Sequence, residues 1–194
     1  MLARIKKDLP NFPDEVISDW LLTYANQEGW PPSLDAFGIP IGRWKALLVN
    51  QSFSYWQSVH WERVNKHISA QELNPDSQNR VVNLFCAAVM GKTNLWSLCI
   101  SDLKPRFDRI VQYISEHGEF PCPPLLVKGP LGYNIVDGNH RMAAFLYCYG
   151  YFRVDPDAEL QLKTKHTQTF WLGEPNHQMS QTPPLRGGSS YPER

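Results

Sequence analysis

An α/β fold of the α+β kind, with a helical amino-terminal region packed on a small mixed sheet, is what this sequence predicts. Three observations carry that expectation. Val16, Ile17, Trp20, Leu21 and Tyr24 recur at helical spacing near the start of the chain. Two strand-like runs, Pro124-Leu125-Leu126-Val127-Lys128 and Tyr133-Asn134-Ile135-Val136, flank the turn residues Gly129-Pro130-Leu131-Gly132 and lead directly into an apolar helix. A last apolar block, Thr169-Phe170-Trp171-Leu172-Gly173, closes at a glycine.

The elements follow in order. Met1 to Leu9 reads as a loose basic start with Arg4, Lys6 and Lys7. Pro13 suits the first turn of the Trp20 helix, and Gly29 before Trp30-Pro31-Pro32 ends it. Ser33 to Pro40 is a connector, and Ile41 to about Ile68 is expected to be helical, burying Trp44, Leu48, Trp56, Val59, Trp61 and Val64. On such a helix His60 and Glu62, two residues apart, face different ways and form no acid-base pair. Asn74-Pro75-Asp76-Ser77 starts another helix, which Gly91 closes after Val81 to Met90. Gly91-Lys92-Thr93 is not a phosphate loop, because Cys86 stands where that pattern needs its first glycine and the preceding residues are helical.

Near residue 92 the reading changes from helical (1–92) to mixed (93–177). Leu95 to Ile100 forms a strand-like run, and Lys104-Pro105 opens a helix with Phe107, Ile110, Val111 and Ile114 on one face and Gly118 as its cap. Lys104 and Arg106 in its first turn carry the wrong sign for the helix dipole, a conflict that a bound anion would remove. Glu116, His117 and Glu119 fall on the surface at its far end. Ala158 to Thr164 alternates as a strand, and 178–194 reads as a flexible tail.

Composition sets limits. The 194 residues are 42% hydrophobic and 20% charged, as in a folded globular protein, and allow one substantial domain. Nineteen basic and nineteen acidic residues leave no net charge, so no global field draws the chain to nucleic acid or an anionic membrane. No apolar run is long enough for a membrane span. Cys86, Cys99, Cys122 and Cys148 are scattered and no signal peptide precedes them, so a reduced cytoplasmic setting is expected. Five of the seven Trp precede residue 62, and core packing accounts for them better than base stacking does.

Reactive side chains and special backbone chemistry coincide at Asp137-Gly138-Asn139-His140-Arg141. This stretch lies between a strand and the helix Met142 to Tyr149, which Gly150 ends. The first amides of that helix lack backbone partners and favour an anion, Gly138 admits close approach, and His140 and Arg141 add a titratable ring and a fixed cation. Asp137 or Asn139 capping the helix, and Arg141 pairing with a carboxylate, are the alternatives.

The Pro124–Val127 strand, this junction followed by Ala143-Ala144, and the Phe170–Gly173 block together resemble the ParB/sulfiredoxin superfamily over residues 95 to 177. The resemblance implies that Gly138, Asn139, His140 and Arg141 bind nucleotide phosphates, joined by Arg106 with Lys104 beside it. Sulfiredoxins carry their catalytic cysteine where this chain has Asn139, which argues against sulfur chemistry. The remaining residues are too few for the reader helices and dimerisation tail of a segregation ParB. Within the superfamily the chain looks most like the plasmid-encoded oncogenic-suppression and fertility-inhibition (Osa) branch. That likeness implies a bacterial ATP hydrolase, with DNA cleavage as a further activity, that blocks conjugative transfer at a secretion-channel or coupling protein. Asp137, His140 and Arg141 are then the catalytic candidates, ATP the nucleotide, and Mg²⁺ the metal, with Asp137 as its ligand. The rival expectation is a non-catalytic protein that docks on a secretion-channel component through its Trp-rich amino-terminal half.

Overall fold

The computed structural model describes residues 1–95, 101–150 and 165–176. Helix α1 (Leu2–Asp8) leads to α2, which runs as Asp14–Val16, a π-helical Ile17–Leu21 and Leu22–Glu28. Short helices α3 (Arg43–Leu47) and α4 (Phe53–Ser58) precede strand β1 (Val59–Lys66). Then come α5 (Pro75–Val89), α6 (Leu103–His117), the hairpin β2 (Leu125–Gly129) and β3 (Gly132–Asp137), α7 (Asn139–Cys148) and β4 (Gln168–Pro175).

The four strands form one mixed sheet in the order β1-β4-β2-β3, in which β2 and β4 are parallel and the two outer pairings antiparallel. Successive side chains on a strand point to opposite faces, and the chain fills both. Leu126, Ile135 and Phe170 join Val81, Leu84, Phe107, Ile114, Met142 and Phe145 under α5, α6 and α7. Leu125, Val127, Val136 and Trp171 face the other way, onto Phe12, Val16, Trp20, Leu21, Trp44 and Trp56. The sheet is thus sandwiched between two helical layers, the arrangement that buries an apolar strand on both sides.

Local signals placed several elements. Asn74 accepts from the Ser77 amide at 2.8 Å as the cap of α5, with Pro75 at its first position. Gly118 closes α6 in the left-handed conformation, and Gly29 ends α2 at φ 85°.

Two expectations are corrected. Residues 59–66 are a strand, not the end of a long helix, because they complete the sheet against β4 from His60↔Glu174 to Lys66↔Gln168. His60 and Glu62 therefore share a face, and both are exposed. The basic start is also no loose end: it forms α1, with Ile5 and Leu9 buried in the Trp-rich cluster, Arg4 donating to the Trp30 carbonyl and Asp8 accepting from the Trp30 indole, both at 2.8 Å. Since β1 comes from the amino-terminal region, the turn at residue 92 separates stretches of chain and not layers of packing. The expected runs at 96–100, 158–164 and 178–194 lie outside the described residues.

Among the described residues, Trp20, Trp30, Trp44, Trp56 and Trp171 are interior. Trp20 and Trp56 are 1% and 0% exposed, with ring centroids 5.5 Å apart, and Phe12 stacks on Trp20. Deleting such a ring removes its transfer energy and leaves a cavity. Trp20→Ala is expected to lower unfolding free energy by about 3–5 kcal/mol, to be read from urea denaturation; a loss under about 1 kcal/mol is incompatible with this packing.

Candidate phosphate-binding junction

Asp137 ends β3, Gly138 turns the chain at φ 97° and ψ 22°, and α7 begins at Asn139. The left-handed turn needs glycine, and space demands it too: a Cβ there would lie 2.9 Å from the Pro124 Cβ and 3.0 Å from the Arg141 Nε. The close approach that Gly138 allows is thus filled from within, by Arg141 and Pro124.

Arg141 is buried, its side chain 11% exposed. One guanidinium nitrogen, Nη1, donates to the carbonyls of Cys122 at 3.0 Å and Pro123 at 3.2 Å, and also contacts the Cys122 Sγ. The other, Nη2, donates to the Asp137 Oδ2. These bonds fasten the entry to β2, the end of β3 and the first turn of α7 to each other. The resemblance placed Arg141 on phosphate and Asp137 as catalyst or metal ligand; the structure joins the two as an ion pair, the carboxylate pairing that the residues themselves left open for Arg141. It also places Cys122 beside them. Burial pushes the Cys122 thiol up although Arg141 beside it pulls the other way, so it rests as a thiol at neutral pH; burial pushes Cys148 up to about 12.

The first turn of α7 differs. No side chain caps α7, so its leading amides keep their bias toward an acceptor. His140 Nε2 and Asn139 Oδ1 are shielded from solvent without a hydrogen-bond partner, a state that native structures rarely leave unused. Burial lowers the His140 pKa to about 4, Arg106 adds to that, Asp102 opposes it and Arg141 adds a smaller push, so the ring is neutral at pH 7. Helix α6 packs on α7, near enough for the Arg106 charge in its first turn to disfavour a protonated His140. Arg106 is held by Asp102 at 2.9 Å in an exposed pair, while Lys104 pairs with Asp108 at 2.6 Å. Asp102 was missed by sequence reasoning; its spacing of four residues from Arg106 was the available signal.

The fit to Mg²⁺ is narrow. Asp137 keeps Oδ1 beside its bond to Arg141, but among the described residues no group of three or more His, Cys, Asp and Glu side chains is placed to hold a metal. Compared with protein-family models, curated proteins and solved structures, the chain matches none of them.

Two measurements follow. Removing one member of a buried pair strands the other charge, so Arg141→Ala is expected to cost about 3 kcal/mol of stability in chemical denaturation, against under about 1 kcal/mol for Arg106→Ala, whose pair is exposed. Equal losses would contradict the assignment. His140 binds its proton near pH 6.5 when unfolded and only near 4 when folded, so between those values the unfolded state holds more protons. Stability is then full above about pH 6.5 and falls as pH drops toward 4, by about 3 kcal/mol, and His140→Asn should flatten that part of the profile.

Proposed function

We propose that this chain binds the phosphates of ATP at the amino terminus of α7 and hydrolyses ATP there. The observation that carries the reading is the uncapped start of α7, behind the left-handed Gly138, with neutral His140 and the Arg106 guanidinium at its mouth. Strand, glycine turn and helix start make an anion site from backbone alone. The resemblance to the ParB/sulfiredoxin superfamily points to the same residues.

The geometry divides the roles. The amides of Asn139 to Arg141 meet phosphate oxygens, and His140, uncharged, adds one N–H without the cost of a buried imidazolium. Arg106 leaves Asp102 for the phosphates and offsets charge developing on the transferred group. Arg141 and Asp137 act beneath this surface as positioning residues. Asp137 Oδ1 is the protein atom that would hold Mg²⁺, whose chemistry when bound would be to offset phosphate charge. Nucleotide hydrolysis in the service of conjugative fertility inhibition is the role that the likeness to the Osa branch supports. DNA cleavage has less behind it, given the absence of net charge and, among the described residues, of a clustered carboxylate set. The rival reading, docking on a secretion-channel component through the Trp-rich amino-terminal half, has less behind it, because Trp20, Trp30, Trp44 and Trp56 are core residues.

ATP should raise the melting temperature of the parent protein in thermal-shift assays, since a ligand that binds the native state stabilises it. Arg106→Ala should weaken ATP binding about tenfold, the worth of one charge-assisted phosphate contact, and slow turnover, while melting without ligand like the parent. An Arg106→Ala protein that binds and hydrolyses ATP at the parent level would remove this reading.

A further inference from the structure

The two edges of the sheet are finished differently. At β3 the start of α5 takes up the outward backbone: the Asn74 amide donates to the Tyr133 carbonyl at 2.8 Å and the Ile135 amide donates to the Ser77 hydroxyl at 2.9 Å. Arg80 adds a bond to the Asn134 side chain at 2.9 Å. At β1 the outward groups follow from the ladder on its inner side. The Asn176 amide donates to the Ser58 carbonyl at 3.1 Å, and these two residues continue the β1–β4 register. Bonded pairs alternate along an antiparallel ladder, so His60, Glu62, Val64 and Lys66 bond to β4, while Val59, Trp61, Arg63 and Asn65 turn their N–H and C=O groups away from it. The Trp171 amide, opposite Arg63, keeps to that phase by donating to the Pro124 carbonyl at 3.0 Å instead.

Among the described residues, the Val59 amide alone of these outward groups has a partner, the Trp56 carbonyl. The edge is also long and regular: β1 has eight residues, no proline and an unbroken register with β4. Exposed His60 and Glu62 on one face, and exposed Arg63 and Asn65 on the other, leave it reachable from both sides. A row of unpaired backbone groups of this kind is a template for a further strand.

The charges on β1 choose the partner. Two copies of the strand related by a two-fold axis run antiparallel, and the residue on the axis sets what meets. An axis at Glu62 or at Arg63 puts that residue opposite its own like charge, which destabilises the pairing. An axis at Val64 pairs Glu62 with Lys66, but Lys66 is engaged within its own copy, donating to the Tyr133 hydroxyl at 3.0 Å. An axis at Trp61 sets His60 of each copy opposite Glu62 of the other, and the structure engages neither elsewhere. The Trp61 amides and carbonyls then bond to each other, and each Arg63 amide meets the free Val59 carbonyl of the other copy. We propose that the open edge of β1 pairs with β1 of a second copy, antiparallel about Trp61, so that one sheet runs through both. The pairing uses up both open edges and closes on itself. It lies at the edge opposite β3, where the phosphate junction begins, and is independent of ATP.

Sedimentation equilibrium of the full chain without nucleotide tests the proposal. The parent should dimerise at micromolar concentration. Arg63→Pro removes an amide that bonds to nothing within one copy, and proline is tolerated on such an edge. It should raise the dissociation constant roughly 30-fold, because one bond is lost on each side of the axis, and at concentrations where both proteins are monomeric it should melt like the parent. Glu62→Lys should weaken the dimer about tenfold, and adding His60→Glu, which restores opposite signs across the axis, should bring the constant back to near the parent's. The charge exchange decides the matter even where the proline variant misfolds. A parent protein monomeric to several hundred micromolar overturns the proposal. So does a dimer indifferent to a well-folded Arg63→Pro, or one that Glu62→Lys leaves unchanged or that His60→Glu fails to restore.

Discussion

The bonds of Arg141 are the constraint on which the carboxy-terminal half depends. A guanidinium carried into a protein must find acceptors for its donors or its desolvation goes unrecovered. Here the acceptors are the carbonyls of Cys122 and Pro123 and the carboxylate of Asp137, which come from the entry to β2 and the end of β3. Satisfying one side chain therefore fixes the hairpin relative to α7. Gly138 follows from the same packing, because any larger residue would collide with Arg141 and Pro124. Asp137, Gly138 and Arg141 form one structural unit, and it presents the amides of α7 to the outside.

The sheet carries that unit between two layers whose interiors differ in kind. Beneath α5 to α7 the core is aliphatic with Phe85, Phe107, Phe120, Phe145 and Phe170, while the opposite face sets Phe12 and the indoles of Trp20, Trp30, Trp44, Trp56 and Trp171 among its aliphatic residues. Aromatic rings supply much area per residue, which lets the short helices α1 to α4 cover a sheet face that longer helices would otherwise be needed to cover. Gly173 shows how closely they fit: a Cβ there would come within 2.8 Å of Val59 and 3.0 Å of Val127.

What was legible in the sequence was what is local. Asn74 with Pro75, Gly118, and the glycines around the β2–β3 turn each state a cap or turn within a few residues, and α5, α6, the hairpin and α7 stood where those signals put them. The residues that misled are those whose structure is decided at a distance. Val59 to Lys66 is strand because β4 arrives beside it from the far end of the chain, and, as an edge strand with exposed His60, Glu62, Arg63 and Asn65, it lacks the clean alternation that would announce it. Likewise α1 is ordered by Trp30, not by its own composition. At the junction the motif itself was visible, but not the commitment of Arg141, because backbone carbonyls at Cys122 and Pro123 leave no mark in a side-chain pattern.

That commitment decides which cation an anion would meet. At rest the junction holds two ion pairs, Arg141 with Asp137 and Arg106 with Asp102, so neither arginine is free and the local charge balances. The pairs are unequal in what they cost to open. Exposed pairs of the second kind are worth at most about 1 kcal/mol, whereas parting the first leaves a carboxylate and several buried donors unmatched. A phosphate offers Arg106 more charge than Asp102 does and asks little of the fold in exchange. Were a phosphate to bind as proposed, burial would set the order of events: Asp102 would yield, Arg106 would turn, and Arg141 would stay to hold the amides and the neutral His140 in place.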